Sequence, residues 1–185
     1  TGRMSQSVCP LMQALDIVSL DLDLAGGGMG QRKGHMRARD VLPKVGYDAP
    51  TCIHTPLIAD LATGIGKMSS SEGVTISMED TTAEIEAKIT DAFCPPTREP
   101  EPDDEGRERE NPVLQLFEYH VFPRFAEVVV ERPEQYGGDL TYDDHESLAA
   151  EMESGDLHPA DAKGALVTYL DRLVDPGRER LASLR

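Results

Sequence analysis

The spacing of apolar residues in the first third of the chain limits its fold more than any other feature. Residues 8–15 have helical spacing, and residues 16–24 alternate apolar and polar side chains, which predicts a strand. Glycines at 26–28 break the pattern, 29–45 returns to a helical period, and 51–54 reads as a second short strand. We therefore predict a parallel α/β sheet, because parallel strands are usually joined through a crossover helix.

The rest of the chain is predicted to be a small and mainly helical domain. Asp80 is a candidate N-cap, with Glu84 nearby, for a helix that runs to about Phe93. Apolar spacing further predicts a helix over 113–130 that changes to a strand at 128–130, and helices over 143–152 and 159–173. A turn at 132–138 predicts that a short strand at 139–142 pairs back on the strand before it.

Residues 95–111 differ in composition from everything around them. They read PPTREPEPDDEGREREN and contain almost no large apolar side chain. Such a segment cannot bury enough apolar area to offset the entropy of ordering, so we predict a mobile insertion.

The charge of the chain is strongly negative. Lys and Arg number 18 against 34 Asp and Glu, which gives a formal net charge of −16. Such a surface normally argues against a nucleic-acid partner, but in molar salt the Debye length falls to ~3 Å and self-repulsion becomes tolerable. We therefore predict a halophilic source, with an ordinary acidic protein as the alternative.

The three cysteines form no CxxC pair, so we expect neither a zinc site nor a disulfide framework. No apolar run has the length of a membrane span.

A glycine- and serine-rich loop at 64–73 is the sharpest local motif. Glycines flank it, Lys67 supplies a compact cation, and three consecutive serines supply hydroxyl and amide donors. These groups suit a polyphosphate, whose transfer depends mainly on positioning and charge stabilisation. The pattern GxxxxGK[ST] of P-loops is absent, because Met68 follows the lysine.

This loop resembles the KMSKS signature of class I aminoacyl-tRNA synthetases, in the KMSSS form of the archaeal and eukaryotic tyrosyl enzymes. The family usually has a lysine where this chain has Glu72. The resemblance implies that Lys67, Ser69 and Ser70 are catalytic, and that ATP is bound by Lys67, Met68, Ser69, Ser70 and Ser71.

Two upstream segments extend the resemblance. CPLMQALDI at 9–17 is similar to the family's YPLMQALDI, and GGMGQRK at 27–33 is similar to GG(M/L)xQRK. Gln13 and Asp16 would share one face of a helix, and a carboxylate can hold a phenol hydroxyl. The resemblance implies that Asp16 reads the hydroxyl of tyrosine, while Gln13 and Gln31 hold the amino group and nearby polar atoms. Cys9 stands where the family has a substrate-binding tyrosine.

The dense basic cluster of the chain consists of Arg32, Lys33, His35, Arg37 and Arg39. A local basic patch on an acidic protein is a candidate phosphate site. By resemblance, Arg32 and Lys33 lie near the acceptor end of the tRNA.

Two further motifs occur near the end of the chain. RPEQYGGDL at 132–140 and HPADAK at 158–163 resemble the family signatures RPExFGGDL and HPxDxK. An aromatic ring on a glycine turn can stack on an unpaired base, and a carboxylate can accept from guanine. The resemblance implies that Tyr136 stacks on the anticodon, while His158 and Asp161 read its first base.

The resemblance implies a class I α/β architecture in three parts. We expect the second half of a Rossmann-like catalytic fold at 1–65, the KMSKS loop with a helix and an acidic linker at 66–110, and a helical anticodon-binding domain at 111–185. The HIGH-type motif of the family does not occur in these residues. We therefore expect the C-terminal half of an enzyme, inactive by itself.

The implied activity is tyrosine–tRNA ligation in the cytoplasm, with ATP and Mg²⁺ as substrate complex, no tightly bound cofactor, and no membrane partner. Tyrosine and tRNA(Tyr) are the further partners, and the full-length enzyme is expected to be a homodimer. One alternative is a non-catalytic tRNA-binding module derived from such an enzyme. Another is a tryptophanyl relative, against which the Gln13 and Asp16 pair argues.

Overall fold

The computed structural model describes residues 4–69 and 73–184. The chain divides into two compact units, Thr1–Leu57 and Ile58–Arg185, which we call the first and the second unit. Within the described ranges, none of the helices combines the length and the apolar character that a membrane span requires.

The first unit is a helix followed by a β-α-β motif. Its strands pair in parallel, with Ala25 opposite Cys52 and Gly27 opposite His54. The elements are α1 (Met4–Ser19), β1 (Leu24–Gly28), a 3₁₀ turn (Met29–Gln31), α2 (Arg32–Val41), a second 3₁₀ turn (Leu42–Val45) and β2 (Thr51–Thr55). The predicted parallel α/β arrangement is therefore confirmed for these residues.

The strand predicted at 16–24 is wrong. Helix α1 occupies the first part of this segment, and the N–H of Leu22 donates to the C=O of Ile17 at 3.0 Å as the helix ends. Asp21 then adopts a positive φ of 52°, and β1 starts only at Leu24. Four alternating apolar residues are compatible with a helix end and a turn as well as with a strand. Strand β1 also includes the glycines at 26–28, which were expected to end the strand.

The first unit buries few side chains and exposes many. Its buried apolar residues are small in number, namely Ile17, Ala25, Ala38 and Leu42. Most of the exposed large apolar side chains among the described residues belong to this unit, including Leu11, Met12, Leu15, Leu24 and Ile53. A broad apolar face therefore remains uncovered in the first unit.

The second unit is a helical domain with two short hairpins. Its elements are α3 (Thr82–Thr90), β3 (Glu101–Pro102), β4 (Glu108–Arg109), α4 (Pro112–Leu116) with a π-helical turn (Phe117–Val121), β5 (Val128–Val130), β6 (Leu140–Tyr142), α5 (His145–Ser154) and α6 (Pro159–Ala182). One apolar core includes the fully buried side chains of Leu61, Ile85, Ile89, Phe117, Leu148, Met152 and Leu166. The helices predicted at 143–152 and 159–173 and the antiparallel pairing of β5 with β6 are confirmed, although α6 continues to Ala182. The helix predicted from 113 up to the strand at 128 is too long, because the helical segment ends at Val121.

A phenol from α6 holds the outer edge of β5. The N–H of Val129 donates to the Tyr169 hydroxyl at 2.8 Å. The ring of Tyr169 packs edge-on against Phe125 with 4.9 Å between centroids. This contact ties the hairpin to α6.

The N-cap of α3 is Thr81 and not Asp80. The Thr81 hydroxyl accepts from the N–H of Glu84, and the Glu84 carboxylate accepts from the N–H of Thr81 at 2.8 Å, which is a capping box. The N–H of Thr81 and then its hydroxyl, which both donate to the Glu84 carboxylate, lower the pKa of Glu84. Asp80 instead pairs with Lys88, which lies within α3.

The acidic segment that was predicted to be mobile is a hairpin in the structure. The carboxylate of Asp103 accepts from the N–H groups of Glu105 and Arg107 at 2.9 and 2.8 Å, and these bonds together with the Arg107 guanidinium hold its pKa below the ordinary range. Arg98 pairs with Glu146 and Glu153. Polar contacts, which a count of apolar residues does not register, shape this segment.

The end of this hairpin is joined to the start of the 64–73 loop. Arg109 Nε donates to the C=O of Thr63 at 2.9 Å, and the N–H of Glu110 donates to the C=O of Gly64 at 2.9 Å. The Arg109 guanidinium lies 3.6 Å from the centroid of the Phe93 ring. Gly64 is therefore enclosed on one side.

Two glycines of the loop differ in what surrounds them. Gly64 and Gly66 have φ of 71° and 73°, but a Cβ at Gly64 would lie 2.5 Å from Glu110 O and from the Phe93 ring, whereas a Cβ at Gly66 meets nothing within 4 Å. We expect Gly66→Ala to lower the free energy of unfolding by about 1–2 kcal/mol from backbone strain alone. Gly64→Ala adds overpacking, for a total of about 3–5 kcal/mol. Urea titration of both variants checks this, and equal losses would contradict it.

Candidate functional site

The first unit brings two of the predicted tyrosine-binding residues into direct contact. Gln13 of α1 donates through Nε2 to Oε1 of Gln31, which precedes α2, at 2.9 Å. Cys9 and Asp16 lie on the same face of α1 as Gln13, at helical spacings of four and three. Gln13 is half-buried, whereas Cys9, Asp16 and Gln31 are exposed. The four side chains therefore form one polar surface with a hydrogen-bonded pair at its centre.

A glycine of α2 lies directly beside this contact. A Cβ at Gly34 would lie 2.9 Å from Oε1 of Gln13, closer than such atoms approach. A side chain at this position would displace the flexible end of Gln13 and so disturb the glutamine pair. A glycine inside a helix costs about 1 kcal/mol relative to alanine, which is a sequence signal for such a close approach.

A pair of histidines in the same unit was not predicted from the sequence. Nδ1 of His35 lies 3.0 Å from Nε2 of His54, so α2 and β2 share a ring-to-ring hydrogen bond. His35 is buried, with 8% of its surface exposed. Partial burial, then the neighbouring His35 and Arg32, lower the pKa of His54. The lowered pKa favours the neutral form of the His54 ring beside His35.

Some residues of the basic cluster of α2 are exposed, whereas others are buried or hydrogen-bonded. Arg32 and Lys33 are exposed in the first turn of the helix. The Arg39 guanidinium donates to the C=O of Pro50 and the His35 ring is buried. Arg32 and Lys33, the two predicted tRNA contacts, are accordingly accessible to a phosphate.

The 64–73 loop is anchored at Met68 beside an exposed Lys67. The N–H of Met68 donates to the C=O of Ile58 at 2.7 Å, and its side chain packs against the apolar core. Ser69 is half-buried, and its C=O accepts from the N–H of Gly73 at 3.0 Å. The predicted ATP contacts Ser70 and Ser71 lie outside the described residues. The anchored methionine holds the chain next to it so that Lys67 reaches solvent.

All three predicted anticodon contacts line one cavity of the second unit. This cavity has a volume of about 470 Å³ and is lined by Arg132, Tyr136, Gly155, Asp156, His158 and Asp161. Tyr136 is 65% exposed at the end of a 3₁₀ turn (Glu134–Tyr136) that Gly137 terminates with φ of 101°. Its ring is therefore open to a stacking partner. Arg132 and Asp156 belong to the site as well, although the sequence assigned them no role.

His158 and Asp161 are positioned by the first turn of α6. His158 is the N-cap of this helix, and its Nδ1 accepts from the N–H of Ala160 at 3.1 Å. In the neutral ring the proton is then on Nε2, which makes that nitrogen a donor. Asp161 supplies acceptor oxygens in the same turn. Together they offer the donor and the acceptors that recognition of a base edge requires.

The described ranges hold no group of three or more His, Cys, Asp or Glu side chains suited to a metal ion. Cys94 is free and largely buried, and this burial raises the pKa of its thiol to about 11.

Comparison with known proteins gives consistent matches along the chain. The family model described as "tRNA synthetases class I (W and Y)" matches residues 8–174. A tyrosine–tRNA ligase from Halorubrum lacusprofundi is 69% identical over 180 residues, which are 97% of this chain and 55% of that protein. One from Halobacterium salinarum is 64% identical over 185 residues, which are 100% of this chain and 55% of that protein.

A solved structure matches over the same length. The crystal structure of tyrosyl-tRNA synthetase complexed with L-tyrosine from Archaeoglobus fulgidus has a TM-score of 0.81 and 47% identity, over 97% of this chain and 53% of that chain. The chain thus spans about half the length of the relatives it matches.

The histidine pair makes the stability of the first unit depend on pH. Because the folded-state pKa of His54 is lowered, its contribution is fully present above the ordinary imidazole value of about 6.5 and is lost as the pH falls through the folded value. We expect the melting temperature to fall between pH 7 and pH 5, and a His54→Gln variant to show a smaller fall. Thermal melts and an NMR titration of the His54 ring measure this. A His54 ring that titrates above 6.5 would contradict it.

Proposed function

The chain belongs to the class I tRNA synthetases for tryptophan and tyrosine, and on this premise we propose that it is the C-terminal half of a tyrosine–tRNA ligase. The observation that carries the proposal is the hydrogen-bonded pair of Gln13 and Gln31, one helical turn from Asp16. Relatives that share 69% and 64% of its residues bear that name. Their sources, Halorubrum and Halobacterium, are halophiles, in agreement with the acidic composition.

The reaction joins tyrosine to ATP and then to tRNA. The carboxylate of tyrosine attacks the α-phosphate of ATP, which forms tyrosyl-adenylate and releases pyrophosphate with its Mg²⁺. A terminal ribose hydroxyl of tRNA(Tyr) then attacks the activated carbonyl and displaces AMP. The protein supplies alignment and charge and needs no nucleophile of its own.

Each cluster has a part in this proposal. Asp16 accepts from the phenol hydroxyl, and Gln13 and Gln31 hold the amino group, with Cys9 beside them as a weak hydrogen-bond partner. The polyphosphate is held by the loop residues Lys67, Met68, Ser69, Ser70 and Ser71. Exposed Lys67 supplies the cation that offsets the charge developing on the leaving pyrophosphate.

The exposed apolar face supports half of a larger nucleotide-binding fold at 1–65. Parallel sheets are usually buried on both faces, and two strands alone bury too little area to be stable. Leu11, Leu15 and Ile53 are 63%, 61% and 55% exposed. We propose that further strands and helices of the longer enzyme cover them. The loop, α3 and the acidic hairpin at 66–110 then connect this fold to an anticodon-binding domain at 111–185.

The tRNA is proposed to contact two regions. Arg32 and Lys33 face phosphates of the acceptor end, and the cavity at Tyr136 receives the first anticodon base, a guanine whose N–H groups suit the Asp161 carboxylate. The enzyme is proposed to act as a homodimer in the cytoplasm.

A non-catalytic tRNA-binding module is the second candidate. The anticodon cavity is formed entirely within the second unit, whereas the surface around Asp16 is open. Such a module would bind the tRNA without activating tyrosine, so the assay below separates the two functions.

Tyrosine-dependent ATP–pyrophosphate exchange by the full-length protein, measured in molar KCl, tests the ligase. We expect exchange by the unaltered protein and a loss of about 10–100-fold in kcat/KM for Asp16→Ala, because the substrate hydroxyl loses a charged acceptor. Asp23→Ala is the control, since Asp23 is also an exposed aspartate of the first unit. Absence of exchange in the unaltered protein would favour the module, and unchanged exchange in Asp16→Ala would remove that residue from the site.

Binding of an anticodon stem-loop RNA at fixed salt tests the second unit. Tyr136→Ala removes a stacking surface worth about 1–3 kcal/mol, so we expect Kd to rise about 5–150-fold. Tyr47→Ala removes an exposed tyrosine of the first unit and should leave Kd unchanged. Equal effects of the two substitutions would show that Tyr136 does not stack on the RNA.

A further inference from the structure

Arg132 connects the two turns that form opposite walls of the anticodon cavity. It follows β5 and begins the turn that carries Tyr136. Its Nε donates to the C=O of Gly138 at 3.0 Å, within its own turn, and its Nη1 donates to the C=O of Asp156 at 2.8 Å. Its own N–H donates to Oδ1 of Asp139 at 3.0 Å. The half-buried side chain is thereby held at two points, and the backbone of Arg132 at a third.

The second wall of the cavity comes from a separate part of the chain. Asp156 lies in the turn after α5, and two residues later His158 begins α6, whose first turn holds Asp161. Among the hydrogen bonds of the described residues, the bond from Arg132 to Asp156 is the one that joins the turn at 132–139 to the turn at 154–158. This guanidinium therefore ties the turn that carries Tyr136 to the turn that leads to Asp161.

The shape of the guanidinium matters because the two bonds use nitrogens of one rigid plane. A lysine ammonium carries the same charge but is a single point with flexible donors, so it cannot reach both carbonyls in this geometry. The cation also lies beside Asp156 and Asp161, where it offsets carboxylate charge that an RNA would otherwise meet. If Arg132 acts by holding the two turns together, a lysine substitution should weaken binding. If it acts only through its charge, lysine should replace it.

We propose that Arg132 is a positioning residue for the first anticodon base. It holds the two turns at the separation at which a guanine stacks on Tyr136 while its N–H groups reach Asp161. This inference rests on the proposed function, in which the cavity binds that base. Arg132 acts through its carbonyl partners and does not need to touch the base.

Fluorescence anisotropy with two stem-loop RNAs tests the proposal. One RNA has guanine at the first anticodon position, and the other has adenine there and is otherwise identical. The full chain is compared with Arg132→Lys, Arg132→Met and, as a control, Arg180→Met, which removes an exposed arginine of α6. Thermal melting of each variant verifies that it is folded.

We expect Arg132→Lys and Arg132→Met alike to weaken binding of the guanine RNA by about tenfold or more, the loss of one charge-assisted hydrogen bond. The preference for guanine over adenine should fall in both variants, a change that the loss of charge alone would not produce. Arg180→Met should keep both the affinity and the preference.

Three results would overturn the proposal. Unaltered binding in Arg132→Met would remove Arg132 from recognition, and full rescue by lysine would reduce its role to charge. If the unaltered chain binds neither RNA better than an unrelated hairpin, the proposed function of the cavity fails as well. Should Arg132→Met not fold, Arg132→Lys decides, since it keeps the charge and the aliphatic stem.

Discussion

Burial of one apolar cluster holds the functional parts of the second unit in place. Ile85, Phe117 and Leu166 are fully buried, and α6, which carries Leu166, also carries His158 and Asp161 at its first turn. Met68 packs against the same cluster, so the lysine beside it is attached to this core too. Full burial of one large apolar side chain contributes roughly 1.5–3 kcal/mol, whereas a hydrogen bond between uncharged groups contributes about 0.5–1.5 kcal/mol. Apolar packing thus fixes the positions of the backbone segments that carry these polar residues. The hydrogen bonds of the polar residues then set the orientation of their side chains.

Charge has a different role from packing in this protein. A net charge of −16 repels nucleic acid at a distance, so binding of the proposed RNA partner depends on short-range contacts at a few exposed cations and a cavity. Molar salt shortens the range of the repulsion to ~3 Å without weakening stacking or buried hydrogen bonds to the same degree. An acidic surface and an RNA partner are compatible under that condition.

The sequence correctly predicted those helices and strands whose structure is determined by residues within the same segment. Strand β2, the hairpin of β5 and β6, and helix α5 were predicted because apolar spacing and turn residues lie within each segment. The start of β1 was misplaced, because a helix end and a turn gave the same alternation as a strand. The acidic hairpin was missed because Asp103 and Arg98 shape it through polar bonds that composition does not reveal.

The candidate sites also contain residues that the sequence predicted and residues that it did not. Motifs predicted Gln13, Gln31, Tyr136 and Asp161, but Arg132 and the histidine pair were not predicted, because they contact partners distant in sequence.

The hydroxyl of Tyr169 affects the outer edge of β5. That edge would expose the Val129 N–H to another strand, and the Tyr169 hydroxyl accepts from this donor. Since unpaired strand edges are where polypeptides add to one another in fibrils, this phenol lowers the tendency of the domain to aggregate.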